Sequence, residues 1–223
     1  MNSVVDAVAE EDSGRSLADR AYQRLRDQLI MLEIRPGEPI NDGKVAATMG
    51  LGRTPVREAL KRLESDHLVV SYSRRGTFAT VVDITELAEV SEIRELLEPL
   101  AARRAARMAS TAMREELGDL AKAIGSLRSA PAVQHELMRY DVAVHRKIYA
   151  ASANRHLEDV LIRYDNLATR IWCMVLDKMP SVSEHIAEHA RLLEAIVEGD
   201  GDRAAELALE HVVHFGAAVR GVL

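Results

Sequence analysis

The 223-residue chain has a single cysteine, Cys173. One thiol excludes an internal disulfide and a cysteine-built zinc site, and it fits a reducing cytosol. Aromatic residues make up only 4% of the chain and prolines number six, whereas Ala, Leu, Glu and Arg are abundant. That balance favours helix over sheet. No apolar run approaches the ~18 residues of a membrane span, and Met1 to Gly14 lack the apolar core of a signal peptide. Secreted, membrane and disulfide-scaffold classes are thus set aside, with a cytoplasmic location expected. Hydrophobic residues at 48% and charged residues at 29% are ordinary for a globular protein, and the length suggests two domains.

The formal net charge of -6 is unevenly spread. Residues 1–14 hold Asp6, Glu10, Glu11 and Asp12 and no base, which predicts a disordered acidic tail. Residues 15–80 carry 12 Lys and Arg against 8 Asp and Glu, and the remainder carries 17 against 23. A basic module joined to an acidic one is the asymmetry expected when a single domain meets phosphates.

In residues 15–80, Leu17, Tyr22, Leu25, Leu29, Ile30 and Leu32 recur at helical steps. This helix is expected to stop at Arg35-Pro36-Gly37. Asn41 or Asp42 can cap a short second helix that ends at Gly50. A third helix begins after Leu51-Gly52 with Pro55 in its first turn, and Val56, Ala59, Leu60 and Leu63 form its apolar stripe. Leu68-Val69-Val70, a polar turn Ser71–Gly76 and Thr77–Val81 then read as a β-hairpin with Arg74-Arg75-Gly76 near its tip. Three helices and a basic hairpin describe a winged helix-turn-helix. Arg53, Thr54 and Arg57 load the end of the third helix that enters the major groove in this motif. Arginine on a guanine edge gives sequence discrimination, while arginine on phosphate gives affinity alone.

The stretch Gly52-Arg53-Thr54-Pro55-Val56-Arg57-Glu58-Ala59-Leu60-Lys61-Arg62-Leu63-Glu64 closely resembles the recognition helix of GntR-family bacterial transcription regulators. Ile34–Ile40 and the wing Arg75-Gly76-Thr77-Phe78 are similar to the same family. The resemblance implies DNA contacts from Arg53, Thr54 and Arg57, with Arg75 and Gly76 in the wing meeting the minor groove. Two departures stand out. Gly52 replaces the usual Ser or Thr, and Gly43 stands where some members place an arginine, leaving Lys44 as the substitute contact.

The second domain is expected over residues 81–223, and from Asp83 onward the chain shows no convincing strand. Helices are expected at about 85–109, 112–127, 131–151, 154–178, 181–198 and 201–220, with Asp83 and Ser181 as N-caps and Pro131 and Pro180 at helix edges. The fold class is therefore mainly α, a winged helix-turn-helix followed by an all-α antiparallel bundle. Six of the eight histidines lie between residues 145 and 214. Asp141 and His145 are four apart and share a helical face. His189 and His211 each stand 11 residues from Asp200, so a helical hairpin brings them level. Asp141, His145, His189 and His211 can converge as one carboxylate and three imidazoles, a set suited to zinc, nickel or another first-row divalent ion. The same symmetry levels His185 with His214, so spacing alone does not choose the pair.

Asp141-Val142-Ala143-Val144-His145, Asn154, Glu188-His189, Ala195-Ile196, Gly199-Asp200 and His211 resemble the FCD ligand-binding domain of the FadR-like branch of that family. The resemblance implies metal ligation by Asp141, His145, His189 and His211. It also implies a small organic-acid effector beside the metal, with Arg94 as the candidate contact for its carboxylate. A salt bridge from Arg94 to Glu98, one turn on, is the alternative. Tyr164, Arg170, Trp172 and Met174 can line the cavity, but bulky residues at helical spacing are read first as plain core. The function expected is a homodimeric regulator, a repressor by default, on palindromic double-stranded operator DNA, and not an enzyme. A metalloregulator answering to the metal itself, or a metal-dependent enzyme with a DNA-binding domain, are the alternatives.

Overall fold

The structure, a computed structural model, describes residues 16–127, 134–179 and 182–223. The expected acidic tail, the edge proline Pro131 and the Ser181 cap with Pro180 lie outside the described residues. The chain divides into two compact units, the first ending at Val82 and the second beginning at Asp83.

In the first unit, α1 (Leu17–Ile30) starts at Ser16, whose hydroxyl accepts from the Asp19 amide. Ala21, Leu25, Leu29 and Ile30 form its buried face, and it packs against α3. The helix ends well before Pro36. Leu32 turns left-handed at φ 56, and the Ile34 amide folds back onto the Gln28 carbonyl. Leu17, expected on the apolar stripe, is exposed. Next, α2 (Asp42–Met49) is capped by Asn41, which accepts from the Lys44 amide, and closes on left-handed Gly50. Helix α3 (Arg53–Ser65) begins at extended Gly52 with no side-chain cap bond, and it buries Val56, Ala59, Leu60 and Leu63.

The wing is β2 (Val69–Tyr72) and β3 (Gly76–Ala79), antiparallel with Val70 opposite Phe78 and Tyr72 opposite Gly76. A third strand, β1 (Pro39–Ile40), pairs with the free edge of β3, which gives the order β1-β3-β2. Two residues are too short to show alternation in sequence, and Pro39 is tolerated because an edge strand needs no donor there.

Among the described residues the second unit contains helices only. A 3₁₀ turn, Ile84–Glu86, is capped by Asp83 and runs into α4 (Leu87–Met108). Then follow α5 (Thr111–Leu127), α6 (Gln134–Ala151), α7 (Arg155–Val175), α8 (Val182–Glu198) and α9 (Gly201–Gly221). Asn154 caps α7 and Asp200 caps α9. Helix α4 packs along α9 and also meets α6, α7 and α8, while α5 lies on α8. Gly199, at φ 82, makes the reversal between α8 and α9, so these two helices form the hairpin that levels their histidines. No helix among the described residues is long and apolar enough to cross a membrane.

Candidate metal centre and nucleic-acid interface

Asp141 and His145 project from one face of α6, His189 from α8 and His211 from α9. All four side chains are buried, and one donor atom from each lies within 4.8 Å of the other three. The expected quartet is thus brought together. His145 Nε2 stands 3.4 Å from His189 Nε2, and Asp141 Oδ1 stands 3.7 Å from His189 Nε2 and 3.9 Å from His145 Nε2.

The far nitrogen of each ring is occupied. His145 Nδ1 lies 3.2 Å from Glu98 Oε2 and 3.1 Å from the Tyr149 hydroxyl. His189 Nδ1 donates to the Ile186 carbonyl at 3.2 Å. His211 Nδ1 donates to Glu188 Oε2 at 3.0 Å. A donor bond at Nδ1 leaves Nε2 as the free lone pair of the neutral ring, which is the arrangement metal-ligating histidines use. Asp141 Oδ1 completes the group as a buried oxygen with no hydrogen-bond partner. Such an orphan costs free energy unless something meets it. Three imidazole nitrogens and one carboxylate oxygen therefore fit a divalent transition metal.

The electrostatics match this crowding. Burial, and then the neighbouring rings, hold His189 and His211 well below the ordinary histidine range. Burial pushes the Asp141 carboxyl up to about 6. For His145 burial opposes the charge, but the Glu98 and Asp165 carboxylates outweigh it and raise the ring to about 9.

His185 and His214 separate clearly. His214 is exposed and bonds Glu188 Oε1 at 2.8 Å. His185 is buried, its ring centroid 4.0 Å from that of His211 and 4.3 Å from that of Trp172, with Nε2 3.9 Å from Asp141 Oδ1. Arg94 is buried and committed. Its guanidinium meets Glu98 Oε1 at 2.7 Å and Asp165 Oδ1 at 3.7 Å, and lies 5.4 Å from the Phe215 ring centre. The Tyr149 hydroxyl donates to the same Glu98 oxygen at 2.7 Å. Arg170 and Trp172 are core as expected, but Met174 is exposed on α7. Glu98 and Glu188 as ring anchors were visible only as neighbours of Arg94 and His189. Nothing in the sequence signals Asp165, which approaches from α7.

In the first unit, Arg53, Thr54 and Arg57 are exposed at the start of α3, as are Lys44 on α2 and Arg75 with Gly76 in the wing. A groove of about 460 Å³ between α3 and the wing is lined by Arg57, Lys61, Arg75, Gly76 and Asp42, among others. Arg53, Thr54 and Lys44 stand outside it. Asp42 accepts from both arginines, Oδ1 from Arg53 Nη2 at 2.8 Å and Oδ2 from Arg57 Nε at 2.5 Å. Arg62 turns away from the groove to Asp19 and the Tyr22 ring. Lys61 in the groove and Asp42 beneath the arginines were not singled out as contacts in the sequence.

Comparison with known proteins gives a family for each unit. The FCD domain matches residues 89–214, more than half of the chain, and the family of bacterial regulatory proteins termed gntR matches residues 17–79. The HTH-type transcriptional regulator YdhC of Bacillus subtilis (strain 168) is 28% identical over 202 residues, which is 86% of each chain. The HTH-type transcriptional repressor RspR of Escherichia coli (strain K12) is 22% identical over 216 residues, 90% of this chain and 88% of the relative. The solved structure of E. coli McbR/YncC superposes with a TM-score of 0.79 at 21% identity, over 93% of this chain and 98% of that one. The last likeness shows the shared fold.

Proposed function

The chain belongs to the FCD-domain family and carries the gntR-type DNA-binding module, so it is a DNA-binding transcription regulator, and we propose that a small carboxylate effector controls it from a metal-holding centre. The observation that carries this reading is the buried quartet. Three rings are anchored at Nδ1, and a nitrogen of each is grouped with an oxygen of Asp141, of which Oδ1 has no hydrogen-bond partner. Asp141, His145, His189 and His211 would hold the ion, with zinc or nickel favoured by the donor set. A divalent ion there supplies a Lewis-acid anchor for a carboxylate oxygen.

The chain's own residues do the rest. Glu98, Glu188 and the Ile186 carbonyl keep the three rings in register, while Trp172 and His185 wall one side of the quartet. An effector carboxylate reaching Arg94 would share it with Glu98, since the guanidinium is already paired. Effector binding alters operator affinity to the extent that it favours one arrangement of the helical unit over another. On the DNA side, Arg53, Thr54 and Arg57 would meet the major groove, with Lys44, Arg75 and Gly76 beside them. A homodimer on a palindromic operator follows from two-fold logic. Repression is the sign favoured by the RspR relative, and DNA as partner puts the protein in the cytoplasm.

The test is duplex binding by full-length metal-loaded protein, with and without a panel of small carboxylic acids. The expected result is at least a fivefold change in affinity with one acid, lost in His189→Ala. A panel that changes nothing, while added metal alone changes affinity, would replace this reading with a metalloregulator.

A further inference from the structure

We infer that Asp42 is a specificity-determining residue of the DNA interface, holding Arg57 and Arg53 in one fork so that Arg57 reads a base edge instead of gripping phosphate. The inference rests on the reading of α3 as the recognition helix.

Asp42 belongs to α2, and the two arginines stand one turn apart on α3. Asp42 Oδ2 takes the Nε edge of Arg57. The bond to Asp42 uses neither terminal nitrogen of that guanidinium, so both stay available as the end-on pair that matches O6 and N7 of guanine. Asp42 Oδ1 takes Nη2 of Arg53, which leaves Arg53 suited to a single-point contact.

The acid lies beneath the arginines. The Asp42 side chain is 20% exposed, whereas each arginine is 61% exposed. The carboxylate thus supports the guanidiniums from behind and leaves their outer ends to solvent. Its neighbours fix it there. Asn41 caps α2, and an acid in the first helical turn is favoured by the helix dipole. Gly43 leaves the cap clear, since a Cβ there would come within 3.3 Å of Asn41 Oδ1.

Charge leads to the same conclusion. Two arginines four residues apart repel each other, and a carboxylate between them reduces their joint pull on phosphate. Phosphate affinity carries no sequence information. Asp42 therefore lowers non-specific binding while holding the reading geometry. Lys61 on the same helix and Arg75 in the wing, both lining the groove, remain to supply phosphate affinity.

The experiment selects duplexes from a random-sequence pool with the full-length wild-type protein. Affinity is then measured for the selected duplex and for an unrelated duplex across a salt series. Wild type, Asp42→Asn, Asp42→Ser and Arg57→Ala are compared, with far-UV circular dichroism to verify folding. In both Asp42 variants the ratio of selected to unrelated affinity should fall about tenfold, mostly through tighter binding of the unrelated duplex. The salt dependence on that duplex should steepen by about one counterion. An Asp42 variant that keeps the wild-type ratio while Arg57→Ala loses it overturns the role of Asp42 alone. Unchanged ratios in all variants overturn the recognition-helix reading with it.

Discussion

His145 Nδ1 lies 3.2 Å from Glu98 Oε2, so a carboxylate on α4 sets the orientation of a ring on α6. The same carboxylate neutralises buried Arg94. Burial disfavours its charge, but His145 and Arg94 outweigh that and hold Glu98 well below the usual carboxylate range. Glu98→Gln removes the charge while keeping the volume. Metal affinity should fall about 10–100-fold through loss of the ring anchor. Stability should fall by up to about 3–5 kcal/mol, because Arg94 remains buried with only the more distant Asp165. Metal titration and denaturant unfolding of the variant check both effects. Wild-type metal affinity in a folded Glu98→Gln protein would remove Glu98 from the centre.

Chelator-treated protein should show a stability maximum near pH 6.5. His185, His189 and His211 are all held below the model-compound value of 6.5, chiefly by burial. Below that pH the unfolded chain accepts protons that the folded chain refuses, so stability is lost as pH falls. His145 runs the other way. Its value of about 9 means that stability present below 6.5 is lost as pH rises through 9. Asp141, at about 6 against 3.8 unfolded, gives back part of the acid-side loss, as one group against three. Thermal midpoints across pH 5 to 9 in excess chelator check this. A midpoint that rises steadily toward acid would contradict it.

Much of the centre was legible because its geometry is local. Asp141 and His145 are one turn apart, and Glu198-Gly199-Asp200-Gly201 marks the reversal that levels His189 with His211. The choice between the His189–His211 and His185–His214 pairs needed burial, which periodicity alone does not carry. Tyr149 is one turn past His145 on α6, but Glu98 and Asp165 reach His145 or its partners from α4 and α7, and no spacing rule joins such positions. In the first unit the apolar stripe of α3 was plain from Val56, Ala59, Leu60 and Leu63. The end of α1 was not, because the chain turns at Leu32 through a left-handed residue that sequence patterns do not mark. Strand β1 was hidden by its two-residue length. Asp42 looked like a possible cap, but Asn41 caps α2, which frees Asp42 for the arginines.

Elemental analysis of dialysed full-length protein beside Asp141→Ala tests most directly whether the quartet holds a metal. The predicted result is about one zinc or nickel per wild-type chain, lost or strongly depleted in a folded Asp141→Ala protein. Wild-type protein that stays metal-free after incubation with zinc and nickel, or an Asp141→Ala variant that keeps one metal per chain, would contradict it.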